Sequence, residues 1–139
     1  MELYDWLLFL HVLSAFVLVG ALTALWGLVL ATRPSAPMLD AAGAMRFGRI
    51  GGPLVGVGMM GTIIFGVWLA IYVDGYELWD GWILASLVLW GFAGWSGGAA
   101  GKEFQRDAVG RRRAVIRLQA LNSLAILVML VLMIWKPGA

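Results

Sequence analysis

Residues 6–31 read WLLFLHVLSAFVLVGALTALWGLVLA. The stretch carries no charge, and its one ionisable side chain is His11. A helix needs about 20 apolar residues to cross roughly 30 Å of hydrocarbon. This run exceeds that length, so it is expected to tilt or to project past the membrane. Lipid imposes helix here, because a segment surrounded by hydrocarbon must satisfy its own backbone hydrogen bonds. A secretory signal would open on basic residues and carry a short apolar core. The leader here is acidic, with Glu2 and Asp5, and the run is too long, so the expectation is a retained helix.

Three further continuously apolar stretches follow, at about residues 53–73, 82–100 and 118–135. A membrane barrel would show shorter segments of alternating polarity. Over the 139 residues, 62% are hydrophobic and 13% charged, against roughly a quarter charged in soluble domains. The chain has no cysteine, which excludes disulfides, thiolate metal sites and cysteine nucleophiles. The reading is an all-α polytopic membrane protein. A single transmembrane domain over residues 1–139 forms a four-helix bundle, with loops at about 32–52 and 101–117.

Charge orients it. Loop 32–52 carries Arg33, Arg46 and Arg49 against Asp40. Loop 101–117 carries Lys102, Arg106, Arg111, Arg112, Arg113 and Arg117 against Glu103 and Asp107. Nine of the ten bases therefore fall in these two loops, Lys136 being the tenth. The segment between the second and third stretches holds Asp74, Glu77 and Asp80 and no base. Positive-inside bias places both basic loops in the cytoplasm and both termini outside it, in a multi-pass protein of the plasma (inner) membrane. An even helix count agrees. Tyr4, Trp6, Tyr72, Tyr76, Trp79, Trp82 and Trp135 fall at the outer ends, where amphipathic rings prefer the headgroup level. Trp26, Trp68, Trp90 and Trp95 lie deeper and need another explanation.

Small residues carry the packing signal. Gly20, Ala24, Gly27 and Ala31 share a face of the first helix. Gly52 and Gly56 are four apart, followed by Gly58 and Gly61, and Gly91, Gly94, Gly98 and Gly101 recur in the third. In lipid, such faces let backbones approach closely. Packing within the chain is the expectation, with a homo-oligomer or another membrane protein as the other use. The halves share a plan, since Trp6-Leu7-Leu8 and Trp82-Ile83-Leu84 both open odd helices, a hint of a repeat.

His11 is the strongest candidate for chemistry. An ionisable group in hydrocarbon is costly and faces the bundle or a cavity, and imidazole is a common haem and metal ligand. Two readings stand for it: a neutral histidine bonded to a neighbouring helix, or a ligand or proton carrier. One histidine alone builds no zinc site. Met129 and Met133 share a face of the last helix at the depth of His11. A His/Met set suits haem or Cu(I), while methionine also fills irregular apolar gaps, which is the reading for Met59 and Met60. Gln119, Asn122, Ser123, Thr62, Ser86 and Ser96 are expected to cross-link helices by hydrogen bonds. The bases around Arg111, Arg112 and Arg113 abut two membrane helices, so anionic lipid is their expected partner rather than nucleic acid.

The run Leu10-His11-Val12-Leu13-Ser14-Ala15, followed by Val19-Gly20 and a basic end at Arg33, resembles the first helix of a group of small bacterial integral membrane proteins. The group includes predicted membrane proteins of unknown function, the membrane domain of copper-resistance D-type proteins and the HemJ-type protoporphyrinogen oxidases. Asn122 in the last helix, and an apolar run closing on Lys136-Pro137, extend the resemblance over most of the chain. In the HemJ-type family the first-helix histidine ligates haem, a role the resemblance maps onto His11. That family's lysine, four residues after the tryptophan opening helix three, is Ser86 here. The leading expectation is a b-type haem-binding or redox-associated membrane protein with His11 as axial ligand. Its rivals are a non-catalytic accessory or scaffold subunit packing through its glycine faces, and copper handling through His11 and Met129/Met133.

Overall fold

The structure, a computed structural model, describes residues 2–35, 37–73, 77–107 and 110–137. It is all-helical among those residues: α1 spans Leu3–Ala31, α2 Ala41–Tyr72, α3 Gly81–Arg106 and α4 Arg112–Trp135. All four are long and apolar enough to cross a membrane. Asp74 and Tyr76, assigned above to the acidic loop and the aromatic belt, lie outside the described residues.

The helices outrun the apolar stretches. α2 starts at Ala41, twelve residues before Pro53, because Asp40 caps it, its carboxylate accepting from the Gly43 N–H at 2.8 Å. Arg46 and Arg49 thus sit on α2, Lys102 and Arg106 on α3, and Arg112, Arg113 and Arg117 on α4. Helical hydrogen bonding continues through polar residues, so the edge of the apolar run marks a change of solvent and not the end of the helix. The turn before α4 is set by Asp107, which accepts from the Gly110 N–H at 2.8 Å.

α1 packs chiefly against α2, and α3 against α4. The first hairpin is closed by glycines of α2. A Cβ added at Gly58 would lie 2.7–2.9 Å from the backbone nitrogen, Cα and Cβ of Leu18. Gly51 meets Leu25, Gly61 meets Ser14 and Gly66 meets His11. In the second hairpin Gly97 packs on Asn122. Packing within the chain therefore uses part of the glycine set. Gly20, Gly27, Gly52, Gly56, Gly91, Gly98 and Gly101 have nothing within 4 Å of an added Cβ.

The hairpins meet more sparsely, and two tryptophans explain themselves there. The Trp26 indole donates to Ser123 Oγ at 2.9 Å, joining α1 to α4. The Trp90 indole donates to the Met59 carbonyl at 3.0 Å, joining α3 to α2. Arg112 adds a third tie, donating to the Val29 carbonyl at 2.6 Å. Leu18, Leu22, Met59, Ala93, Ala125 and Ile126 form the central core, shared by all four helices.

Polarity runs against the pattern of a water-soluble protein. Ser96 and Asn122 are fully buried, while Phe16, Val88, Trp79 and Ile134 are more than 70% exposed. Apolar surface of this extent needs lipid. With four spanning-length helices, the chain reads as a multi-pass membrane protein.

The close approach at Gly58 generates a test. Gly58→Ala should destabilise the protein by roughly 1–3 kcal/mol through overpacking. Gly20→Ala, which meets open space, should be neutral or slightly stabilising from its better helix propensity. Thermal melts of the two variants in one detergent decide it.

Candidate functional site

His11 lies in the third turn of α1, half-buried against α2. Its Nδ1 is 3.0 Å from the Thr62 carbonyl oxygen. A carbonyl only accepts, so Nδ1 carries the proton and donates, and the neutral ring keeps a lone pair on Nε2. The sequence of α2 makes room for this bond. Inside the helix the Thr62 carbonyl accepts from the N–H of Gly66. Because residue 66 lacks a side chain, the imidazole reaches the carbonyl's second lone pair. A Cβ at Gly66 would lie 2.9 Å from Cε1 and 3.1 Å from Nδ1.

The neighbouring hydroxyls do not compete for the ring. Thr62 Oγ1 donates to the Gly58 carbonyl at 2.7 Å and Ser14 Oγ to the Leu10 carbonyl at 2.7 Å. Nε2 has no hydrogen-bond partner among the described residues.

Met129 is buried and Met133 half-buried on α4. Both line a small cavity of about 60 Å³ that α2 and α3 complete, with Thr62, Gly66 and Ser86 in its wall. His11 does not line it. Thr62 and Gly66 thus touch His11 on one side and face the methionine cavity on another. No cluster of three or more His, Cys, Asp or Glu able to hold a metal ion occurs among the described residues.

A second site escaped the sequence reading. A cleft of about 800 Å³ opens between the hairpins toward the end of the bundle that bears the bases. Gly52 and Gly56 of α2 and Gly98 and Gly101 of α3 line it, and Gln119 and Asn122 of α4 border it too. Both amides are buried, at 4% and 1% exposure. Gln119 Nε2 and Asn122 Oδ1 have no partner among the described residues. These two residues were expected to cross-link helices, and among the described residues only Ser123 of that group does so through its side chain, with Trp26. Thr62, Ser86 and Ser96 bond back to carbonyls of their own helices. The available signal was the spacing: residues 119 and 122 share a helix face, as do 52 and 56, and 98 and 101.

At the basic end, Glu103 gathers two arginines, Arg111 at 2.7 Å and Arg106 at 3.6 Å. Its carboxylate, hydrogen-bonded to Arg111, raises the pKa of that guanidinium further above its ordinary value. Arg111 and Arg112 therefore each hold a protein group, while Arg113 is exposed.

No protein-family model matches the chain, and no curated protein and no solved structure matches it.

The His11 notch is testable without touching the histidine. Gly66→Ala should displace the ring and break its bond to Thr62, whereas Gly56→Ala, in open space, should leave it intact. Nitrogen NMR of imidazole-labelled protein would register the change as a shift of the Nδ1 resonance in the first variant and not in the second.

Proposed function

We propose that this chain is a b-type haem-binding or redox-associated protein of the plasma (inner) membrane, with His11 as an axial ligand. The observation that supports it most is the fixed imidazole. Ligating histidines characteristically donate their other ring N–H to a carbonyl or carboxylate, which sets the tautomer and the ring's orientation. His11 makes that bond with the Thr62 carbonyl and keeps a lone pair on Nε2. A single imidazole so held fits one axial position of a haem, and it does not fit a zinc site, which needs three or four protein ligands.

The residues' own contribution follows from this arrangement. Thr62 holds the proton on Nδ1 and so directs Nε2 toward a ligand. Gly66 lets the ring lie against α2. A bound haem would supply one-electron chemistry. In this reading the basic ends of the helices face the cytoplasm and both termini lie outside it, as the distribution of bases supports.

A second reading has its own support. The glycines of α1 and α3 that meet nothing within 4 Å, among them Gly20, Gly27 and Gly91, are surfaces to which another helix could approach closely. They favour an accessory or scaffold subunit seated in a larger membrane assembly.

A reduced-minus-oxidised visible spectrum of protein purified in mild detergent from haem-replete cells separates the two. Wild type should show Soret and α-bands, and His11→Ala should lose them. A featureless wild-type spectrum at full protein yield overturns the haem reading and leaves the accessory subunit. The orientation has a separate test, because the chain has no cysteine to mask. A single cysteine at Pro137 should react with an impermeant maleimide on intact cells, and one at Pro34 only after permeabilisation.

A further inference from the structure

We propose that the cleft between the hairpins is a binding site for one anionic glycerophospholipid. Its phosphate lies at the Arg49 and Lys102 end, its glycerol and ester groups meet Gln119 and Asn122, and an acyl chain runs along the glycine walls.

Three independent features of the cleft converge on that chemistry. The first is the pair of buried amides. A buried donor or acceptor without a partner costs about 1–3 kcal/mol, and the cleft has one of each, Gln119 Nε2 and Asn122 Oδ1. Both residues line the cleft, so a small turn of each amide toward it presents a donor and an acceptor together, which an ester carbonyl beside a hydroxylated headgroup answers.

The second feature is charge. Arg49 and Lys102 line the cleft, both are exposed, and neither forms an ion pair among the described residues. They differ in this from Arg111 and Arg112, which are engaged by Glu103 and by the Val29 carbonyl. Two uncommitted cations at one mouth match a phosphate.

The third is shape. The cleft's volume of about 800 Å³ falls within the roughly 300–1,000 Å³ of ordinary ligand sites. Away from the bases its lining is Met59, Met60 and Trp90, and Gly52, Gly56, Gly98 and Gly101 leave open space above their backbones. Polar head, amide neck and smooth apolar trough follow one another as they do in an amphiphile. A partner helix suits this order less well. Its backbone is already satisfied, so it would answer neither the amides nor the two cations.

The site is tested on the full chain in mild detergent by native mass spectrometry, titrating phosphatidylglycerol and, separately, phosphatidylcholine of the same acyl chains. Phosphatidylglycerol should bind at one-to-one stoichiometry and more tightly than phosphatidylcholine. Arg49→Gln and Lys102→Gln should each weaken it, by roughly fivefold per lost base. Gly56→Leu, whose side chain enters open space, should block it, while His11→Ala should leave it unchanged whatever the spectrum shows. Far-UV circular dichroism checks that each variant is helical, and if Gly56→Leu fails to fold, the two charge variants on exposed positions carry the test. Equal retention of both lipids overturns the proposal. So does full competition by glycerol 3-phosphate, which would make this a soluble-anion site. A lipid-free dimer that Gly56→Leu converts to monomer would overturn it in favour of a second copy of the chain.

Discussion

The structure depends on how closely α1 and α2 approach at Gly58, where the backbone of one helix rests on Leu18 of the other. In lipid no hydrophobic gain accompanies helix association, so contact must come from dispersion at short range and from polar bonds. A residue with a side chain at position 58 would push the helices apart. The His11 imidazole could then no longer reach the Thr62 carbonyl, about one turn further along the same face. The central core around Leu18 and Met59 would open as well. One missing methyl group therefore governs both the packing of the first hairpin and the geometry of its histidine.

The second hairpin meets the first through fewer contacts of a different kind. Indole N–H groups at Trp26 and Trp90 and the guanidinium of Arg112 reach across, two of them to backbone carbonyls. The Met59 carbonyl, inside α2, keeps its own N–H partner as well, while the Val29 carbonyl lies in the last turn of α1, where carbonyls lack one, and also accepts from Thr32 Oγ1 at 3.2 Å. Between these ties the helices stay apart, and the cleft occupies the gap. Its glycine walls and its unpartnered amides are two expressions of one fact, that α2 and α3 stand apart between the approach of Gly48 to Phe104 at the basic end and the Trp90–Met59 bond deeper in the bundle.

The architecture was legible because it is a matter of solvent. Four uninterrupted apolar runs admit one arrangement in a bilayer, and the structure has four helices of spanning length. The helix ends were less so. Hydropathy changes at Pro53, but the Asp40 cap sets the start of α2. His11 could be singled out as an ionisable group in an apolar run, but its partner could not, since Thr62 offers its backbone and the sequence does not display backbone acceptors. Gly66 was unreadable for a similar reason: its importance is the ring lying above it. Of the four deep tryptophans, Trp26 and Trp90 had no sequence rationale until Ser123 and Met59 appeared opposite them. The amides at 119 and 122 looked like cross-links because most polar groups in membrane helices are bonded, and only the packing shows which of them are left over.

The pairing of neighbours in sequence has a consequence for how the protein is made. Nearly all close packing joins α1 to α2 or α3 to α4, helices that leave the ribosome one after the other. Each pair can enter the bilayer as a helical hairpin and close on its own glycine contacts before the next is synthesised. Sequence-local contacts of this kind form fast and require no long search. The junction of the two hairpins is then a late, separate step resting on the shared core around Leu18 and Met59 and on a few hydrogen bonds. A defect confined to it would leave a chain that is fully inserted and fully helical, yet unassembled.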